Sequence, residues 1–475
     1  MSQKPLTIVI FGATGDLFQK KLAGALFDLH EKKLLPESTK IVGFSRKSFS
    51  HDQFRAFIQN SLSLRAGGKI LEPDEFIAKA WYHAGDLNNK ESYVSLEKFL
   101  EEHDRLLGAC SDKLFYLAVP PTLYETVFKR LSASDLTIPC APGLPDEEKA
   151  WTRVLVEKPF GNNEKEAARL DRMLGTLFEE EQIFRIDHYL AKETMQNIVS
   201  FRFSNGLFEP LWNRRHVERV EVTFLEKDGV SSRGPSYDPV GALRDVGQNH
   251  LLQMLALVAM ENPKDLDAKE LRAARAKVLR YALLAKGDLA HSIVRGQYEG
   301  YKGEAGIAPD SATETYFKLK MSVKNNRWRG IPFYLESGKA LKESNVAISV
   351  FFKPTPCLCP EGHTNAHQNV LSFGLFPRAE ISIVFWAKKP GFHFQLEPKR
   401  LAFSFPEGAL AHEVPDAYER VLLDAIRGDQ TLFPSTEEVK RQWKIITPIL
   451  EKWTSVPLHV YEKGSKGPTI TEQSN

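Results

Sequence analysis

The stretch Leu6-Thr7-Ile8-Val9-Ile10-Phe11-Gly12-Ala13-Thr14-Gly15-Asp16-Leu17 runs directly into a helical pattern from Phe18 to His30. An apolar strand stops at one glycine, and a second glycine follows three positions on. Glycine lets the chain turn sharply and lets the backbone approach a pyrophosphate, whose charge is met by the N–H groups that open the next helix. The spacing departs from G-x-G-x-x-G: Ala13-Thr14 separates the glycines, and Phe18 stands where a third small residue is usual. Alone, the pair also reads as an ordinary strand-to-helix turn. The strand before it, the helix after it and its place at the start of the sequence favour a Rossmann-type dinucleotide site.

Working outward, short apolar strands alternate with longer helical stretches up to about Arg185: Leu6 to Phe11, Lys40 to Phe44, Lys113 to Val119 and Arg153 to Val156. That rhythm predicts a parallel sheet with crossover helices. The segment Pro139 to Lys149, with its prolines and Gly143, reads as an exposed loop within this region. After Arg185 the period changes to two, as in Val220, Val222, Phe224; Phe317, Leu319, Met321, Val323; Val346, Ile348, Val350, Phe352; and Ile381, Ile383, Phe385. These predict antiparallel strands buried on one face, with helices near His250 to Met260 and Ala417 to Ile426 covering them. The expected fold class is therefore α/β plus α+β. A Rossmann-like parallel sheet over residues 1–186 precedes a large antiparallel sheet, covered by helices, over residues 187–475. The polar end, Gly464 to Asn475, is expected to fray.

Composition removes several function classes. With 63 basic and 61 acidic residues in 475, no global field favours nucleic acid, and any anion site must be local. The first apolar run is too short for a membrane span and lacks a cleavable secretory pattern, which makes the cytoplasm the expected location. Four cysteines, Cys110, Cys140, Cys357 and Cys359, are too few for a disulfide framework and fit a reducing compartment. Cys357 and Cys359 with His363 and His367 superficially offer four zinc ligands. A one-residue gap between thiolates is unlike a zinc knuckle, so a proline-rich surface connection is expected and no metal.

The second strand ends Gly43-Phe44-Ser45-Arg46-Lys47, without an acid at the tip to hold a ribose 2′-hydroxyl. A guanidinium forks onto phosphate, so Arg46 argues for the 2′-phosphate of NADP, with NAD the weaker alternative. Standing alone, Arg46 also reads as a solvated arginine after a strand.

Three later constellations carry more specific information: Glu157-Lys158-Pro159-Phe160-Gly161; Arg185-Ile186-Asp187-His188-Tyr189-Leu190-Ala191-Lys192-Glu193; and Arg244-Asp245-Val246-Gly247-Gln248-Asn249-His250. Together with the glycine segment through Lys21 and Leu22, the chain resembles the glucose-6-phosphate dehydrogenase family. The likeness continues through the stretch 332–339 to Asp416-Ala417-Tyr418-Glu419-Arg420. The resemblance implies His250 as general base, Asp187 as its carboxylate partner, and Lys158 reaching both sugar and cofactor. It implies His188, Tyr189 and Lys192 around the substrate phosphate, with Glu226, Asp245 and Lys339 on the sugar hydroxyls and phosphate. It further implies NADP contacts from Gly12, Thr14, Gly15, Asp16, Leu17, Lys21, Arg46, Asp86 and Lys158, and a homodimer or dimer of dimers built through the second domain.

The chemistry fits those roles. Oxidising a sugar hemiacetal requires loss of the hydroxyl proton as hydride leaves the same carbon, and an imidazole held by a carboxylate suits that step. Alone, His250 reads more readily as a core histidine packed by Leu251, Leu252 and Leu255, and only the joint motif overturns that. His188 and Lys192, four apart, are expected on one face of a helical turn as two donors for a phosphate, or as a solvated helix edge. Pro159 and Pro121 are candidates for cis peptide bonds. Ser344 stands where many relatives carry a second base, with Lys342 nearby, so a weaker phosphate grip is expected. Glu336 replaces an arginine that some animal relatives use for a structural NADP, so no second NADP is expected. A Rossmann dehydrogenase of an unphosphorylated sugar or cyclitol, and a non-catalytic regulatory relative, are the competing readings.

Overall fold

The structure is a computed structural model that describes residues 4–66, 73–140, 150–285, 292–356, 367–405 and 414–468. Two compact units account for it. The first comprises residues 1–191 and 415–436, the second 192–414 and 437–475. The expected single break after residue 186 thus lies a few residues later, and the segment Pro415–Thr436 returns to the first unit.

The first unit is built on six parallel strands, β1 (Leu6–Phe11), β2 (Thr39–Ser45), β3 (Ala80–Ala84), β4 (Asp112–Leu117), β5 (Thr152–Val156) and β6 (Ile183–Arg185), in the order β3-β2-β1-β4-β5-β6. Every residue of β1, β2 and β4 is buried. Strands covered on both faces have no polar side to show, which is why they read as continuous apolar runs. Because the sheet is parallel, the carboxyl ends of all six strands lie on one edge. The strand order reverses between β1 and β4, the place where such sheets open a crevice.

The returning helix Ala417–Arg427 is fastened at both ends. At its start, Asp416 accepts from Tyr418 N and forms a capping box with Glu419. At its end, the Arg153 guanidinium donates to Ala425 O (2.9 Å) and Ile426 O (2.7 Å), carbonyls that the helix itself cannot satisfy.

The second unit holds one ten-stranded sheet. Its strands are β7 (Val217–Leu225), β8 (Ala282–Leu284), β9 (Ile293–Tyr298), β10 (Tyr316–Val323), β11 (Pro332–Gly338), β12 (Asn345–Phe352), β13 (Val370–Phe376), β14 (Glu380–Lys388), β15 (Leu396–Ser404) and β16 (Leu458–Tyr461). The order is β15-β14-β13-β12-β7-β11-β10-β9-β16, with β8 on β10. The sheet is mixed rather than wholly antiparallel: β11 runs parallel to β7, and β16 parallel to β9. The alternation seen in sequence is the burial pattern, with Val220, Val222, Phe317, Leu319, Met321, Ile348 and Val350 all inside. Against this core packs Leu252–Ala259, an α-helix buried on every side. Its last carbonyls are met by Trp212 Nε1 to Val258 O (2.7 Å), Trp328 Nε1 to Ala259 O (2.8 Å) and Arg202 to Val258 O (3.1 Å) and Met260 O (2.8 Å).

Three smaller expectations need correction or relocation. Cys110 and Cys140 form a disulfide, with Cα atoms 5.7 Å apart, where reduced thiols were expected. The helix Lys90–Leu107 ends at Gly108 in the left-handed region, and this turn brings Cys110 back beside the chain that follows the helix Tyr124–Ser132. Gly464 and Ser465 do not fray: Gly464 N donates to Ala340 O and Ser465 O accepts from Lys342 N, both at 2.8 Å. Cys357, Cys359 and His363 lie outside the described residues, as does most of the loop expected after Pro139.

Candidate functional site

In the first unit the candidate residues collect at the carboxyl edge of the sheet. Gly12 adopts φ +85°, and a Cβ there would stand 2.3 Å from Ala118 O, so no larger residue fits where the tip of β1 passes the chain leaving β4. Gly12 N donates to Phe44 O (2.8 Å) and Gly15 N to Gly12 O (2.9 Å), closing the turn. The hydroxyls of Thr14 and Ser45, 2.7 Å apart, tie this loop to the tip of β2. Phe18, the departure from a small residue, is turned into the core, where it packs on Phe54 and Phe57. Its bulk therefore does not close the turn, and the cradle fits a dinucleotide. The helix beyond opens as a π turn, Phe18–Leu22, before becoming α-helical.

Around the cradle, Asp16 pairs with Lys20 at 2.6 Å on the surface, and Lys21 and Arg46 are exposed. The Tyr82 hydroxyl donates to Lys47 O at 2.7 Å and so steadies the backbone that carries Arg46. Asp86 follows β3, and its carboxylate accepts from Asn88 N (2.8 Å) in an Asx turn before the helix Lys90–Leu107. Lys158 follows β5, and the Lys158–Pro159 bond is cis. The Pro120–Pro121 bond is not among the cis bonds of the described residues.

The helical pairing expected for His188 and Lys192 is not found. Asp187 accepts from Tyr189 N through Oδ1 (3.1 Å) and from Leu190 N through its carbonyl (3.0 Å), making a turn in which the short acidic side chain competes with helical bonding. Lys192 is extended, with ψ 137°, and the helix starts only at Glu193. Asp187 is buried, and the His188 ring lies between aromatic neighbours, Tyr189 at 4.8 Å and Tyr418 at 5.9 Å, the latter nearly parallel to it. Arg185, the first residue of this motif, is structural: its guanidinium pairs with Asp171 (2.8 Å) and Glu180 (3.1 Å).

Next to Lys158, Glu157 gathers two tyrosines. Tyr116 donates to Glu157 Oε1 at 2.6 Å, and Tyr124 donates to the Glu157 carbonyl at 2.9 Å. Burial raises the pKa of Glu157, while the Tyr116 hydrogen bond and the Lys158 charge pull it back down. Burial also raises both tyrosines, so each remains a phenol and a donor at neutral pH.

The second unit holds the other group. Asp245 and His250 share a π-helix, Leu243–Leu251, that runs straight into Leu252–Ala259. The wider π winding is a local departure often found at functional positions. Its start is held by Glu314, whose carboxylate accepts from Leu243 N (3.0 Å) and Trp453 Nε1 (2.9 Å) and whose pKa is raised by burial. His250 is buried, and its ring stacks on Phe224 at 6.2 Å with the planes 12° apart. Two residues beyond Phe224, Glu226 pairs with Lys339, which is itself buried with its ammonium 5.5 Å from the Tyr237 ring. Asp245 pairs with Arg233 at 3.3 Å. The structure thus brings His250, Glu226 and Lys339 into one neighbourhood through β7 and its neighbour β11. Glu336 is occupied locally by Tyr316 (2.8 Å) and Lys318 (3.0 Å), and Ser344 accepts from Lys227 N (2.9 Å). No group of three or more potential metal ligands is present among the described residues.

Sequence reasoning left out Glu157, Tyr418, Phe224 and Glu314. Tyr418 lies 230 positions beyond His188, and no spacing rule joins them. Glu157 had the better signal, since an acid directly after a buried strand must find partners.

Comparison with known proteins gives a consistent result. Residues 9–197 match the family model described as glucose-6-phosphate dehydrogenase, NAD binding domain, and residues 199–474 the one described as glucose-6-phosphate dehydrogenase, C-terminal domain. The chain is 40% identical over 485 aligned residues to the glucose-6-phosphate 1-dehydrogenase of Aggregatibacter actinomycetemcomitans, covering 100% of this chain and 96% of the relative. It is 37% identical to glucose-6-phosphate 1-dehydrogenase 5, cytoplasmic, of Arabidopsis thaliana, covering 98% and 90%. Among solved structures it is similar to a glucose-6-phosphate dehydrogenase in complex with glucose 6-phosphate, with TM-score 0.86, 31% identity and coverage of 98% and 97%. The Mycobacterium avium glucose-6-phosphate 1-dehydrogenase gives TM-score 0.82 at 31% identity, with coverage of 98% and 96%.

Proposed function

The chain belongs to the glucose-6-phosphate dehydrogenase family, and from that premise we propose that it oxidises the anomeric carbon of glucose 6-phosphate to the lactone, with NADP as the cofactor it uses best. The observation that carries the reading is the buried His250 stacked on Phe224 beside the Glu226–Lys339 pair. A base shielded from water and next to an acid and a cation is equipped to bind a polyhydroxy anion and take one of its protons.

When bound, the nicotinamide supplies the acceptor for the hydride that leaves C1. His250 takes the proton of the C1 hydroxyl, and Asp187 is the carboxylate assigned to stabilise the imidazolium that forms. Glu226, Asp245 and Lys339 hold sugar hydroxyls and fix the face presented. His188, Tyr189 and Lys192 receive the phosphate dianion, with charge-assisted hydrogen bonds from the cationic groups. Lys158 joins sugar and cofactor. Gly12, Thr14, Gly15, Asp16, Leu17, Lys21 and Asp86 contact the dinucleotide, and Arg46 grips its 2′-phosphate. The first unit is then the dinucleotide domain and the second the substrate domain. Ser344 in place of a second base weakens the hold on phosphate.

Initial rates with glucose 6-phosphate and with glucose, each tried with NADP and with NAD, test the whole reading. The pair glucose 6-phosphate and NADP should be fastest by a wide margin. Equal rates with free glucose would overturn the substrate assignment, and a preference for NAD the cofactor assignment.

A further inference from the structure

The turn that carries Lys339 is held in an unfavourable conformation from two sides. Ala340, the next residue, is buried and has φ +54°, a region that a residue with a Cβ enters only where its surroundings compel it. On one side stand the residues that end and follow β7. Glu226 N donates to Gly338 O (2.8 Å), Leu341 N to Glu226 O (3.0 Å) and Ala340 N to Asp228 O (2.9 Å). These bonds extend the parallel pairing of β7 with β11 and set Glu226 beside Lys339. On the other side stand β16 and the residues after it. The hydroxyl of the buried Tyr461 donates to Lys339 O at 2.7 Å, and Thr315 Oγ1 lies 2.9 Å from the same hydroxyl. Gly464 N donates to Ala340 O and Lys342 N to Ser465 O, each at 2.8 Å. Because φ of Ala340 relates the Lys339 peptide group to the chain beyond it, a return to negative values breaks either the bonds to Asp228 and Tyr461 or those to Gly464 and Ser465.

We propose that Tyr461 is a positioning residue: by holding the Lys339 carbonyl against the left-handed turn at Ala340, it fixes where the Lys339 ammonium stands beside Glu226 and near the Tyr237 ring. The inference rests on the reading that Lys339 and Glu226 hold the sugar hydroxyls and phosphate. It deepens that reading by naming what aims the cation, a hydroxyl that enters from 122 positions later in the chain. A lysine aimed by its backbone has less freedom left to lose when an anion binds, so releasing the turn weakens substrate binding more than it slows the chemical step.

Steady-state kinetics on the full-length protein test this, with melting temperature measured alongside. Tyr461→Phe keeps the ring packed on Tyr298 and Tyr316 and removes only the hydroxyl. It should raise KM for glucose 6-phosphate about five- to tenfold, with kcat and KM for NADP each within about twofold. Glycine takes a positive φ without strain, so adding Ala340→Gly to Tyr461→Phe should bring the raised KM back down by about threefold or more. A merely structural tyrosine predicts no such rescue, because a second loosening change adds to the first. A lower melting temperature with KM unchanged in Tyr461→Phe would overturn the proposal, as would a double variant whose KM equals or exceeds that of Tyr461→Phe. If Tyr461→Phe does not fold, two substitutions of similar bulk decide it. Ala340→Val, which resists the left-handed turn, should raise KM for glucose 6-phosphate, and Ala340→Asn, which tolerates it, should not. Equal KM values in those two would overturn the proposal. Lys339→Met separates the idea from its premise. An unchanged KM for glucose 6-phosphate in that variant refutes the reading of Lys339 and the proposal with it, whereas a raised KM there beside a normal KM in Tyr461→Phe refutes the proposal alone.

Discussion

His250 is held by its neighbours more than by its own helix. Its ring rests on Phe224 and its backbone N–H donates to Asn249 Oδ1 at 2.6 Å, a short local bond made possible by the π winding. Replacing it by asparagine keeps a polar group of similar reach but removes the base. His250→Asn should lower kcat by about 10²- to 10⁴-fold with KM for the sugar largely kept, and a kcat near normal at neutral pH would refute the assignment. Arg46 gives the corresponding test for the cofactor. Exposed at the tip of β2, it should on change to alanine weaken NADP by about 1.5–3 kcal/mol and leave NAD nearly untouched, as measured by KM for each; equal losses would place the 2′-phosphate elsewhere. Asp424 offers a pH test. Burial raises its pKa to about 6 despite the Arg420 guanidinium 2.8 Å away. The native state then binds more protons than the unfolded state between about pH 4 and 6, so this group's contribution to stability falls as pH rises through that window. Asp424→Asn removes the titration. Its stability relative to the unaltered protein should rise by about 1–1.5 kcal/mol between pH 5 and 7.5 in denaturant unfolding, and a difference independent of pH would refute it.

At the scale of elements, the helices near the site are stopped or started by side chains from distant positions in the sequence. Glu314 caps the π-helix of Asp245 and His250 from outside it, and Gly241, at φ +76°, lets the chain pass: a Cβ there would meet the Glu314 carboxylate at 2.5 Å. Glutamine at 314 can accept from only one of its two donors, leaving Leu243 N–H or Trp453 Nε1 unsatisfied. Glu314→Gln should cost about 1–3 kcal/mol in denaturant unfolding, and a stability equal to the original would show that the carboxylate does not hold the helix. The buried helix Leu252–Ala259 shows the same economy at its other end, where two tryptophans and Arg202 satisfy its carbonyls. An apolar run alone gives no sign of those partners.

At the scale of the whole molecule, the second unit's sheet ends in a strand that is not finished. β15 leaves Leu401 and Phe403 exposed, at 63% and 60%, on an edge strand, and long open edges with apolar side chains invite a partner. The homodimer that the family resemblance implies, if built through this sheet, would cover them. Leu401→Glu combined with Phe403→Glu should shift the sedimenting species to half its mass, while an unchanged mass would place any association elsewhere. No helix among the described residues is long and apolar enough to cross a membrane.

The sequence by itself determined the parallel sheet, the glycine turn and the family, because each rests on short-range signals: runs of buried strand residues, a backbone position that only glycine can take, and contiguous motifs. The alternation of Val220, Val222 and Phe224 correctly placed β7, but period two says nothing of strand direction, and β11 beside it proved parallel. Spacing misled at His188 and Lys192, where the carboxylate of Asp187 bonds the backbone locally and prevents the helical turn that the interval of four implied. The return of Pro415–Thr436 to the first unit, the Cys110–Cys140 disulfide, the stacking of Tyr418 on His188 and the grip of Glu314 on Leu243 were decided only by the tertiary structure. Each joins positions separated by tens to hundreds of residues. The free energy of such a contact depends on which surfaces the packed core leaves facing one another, and one chain's residue order does not encode that locally.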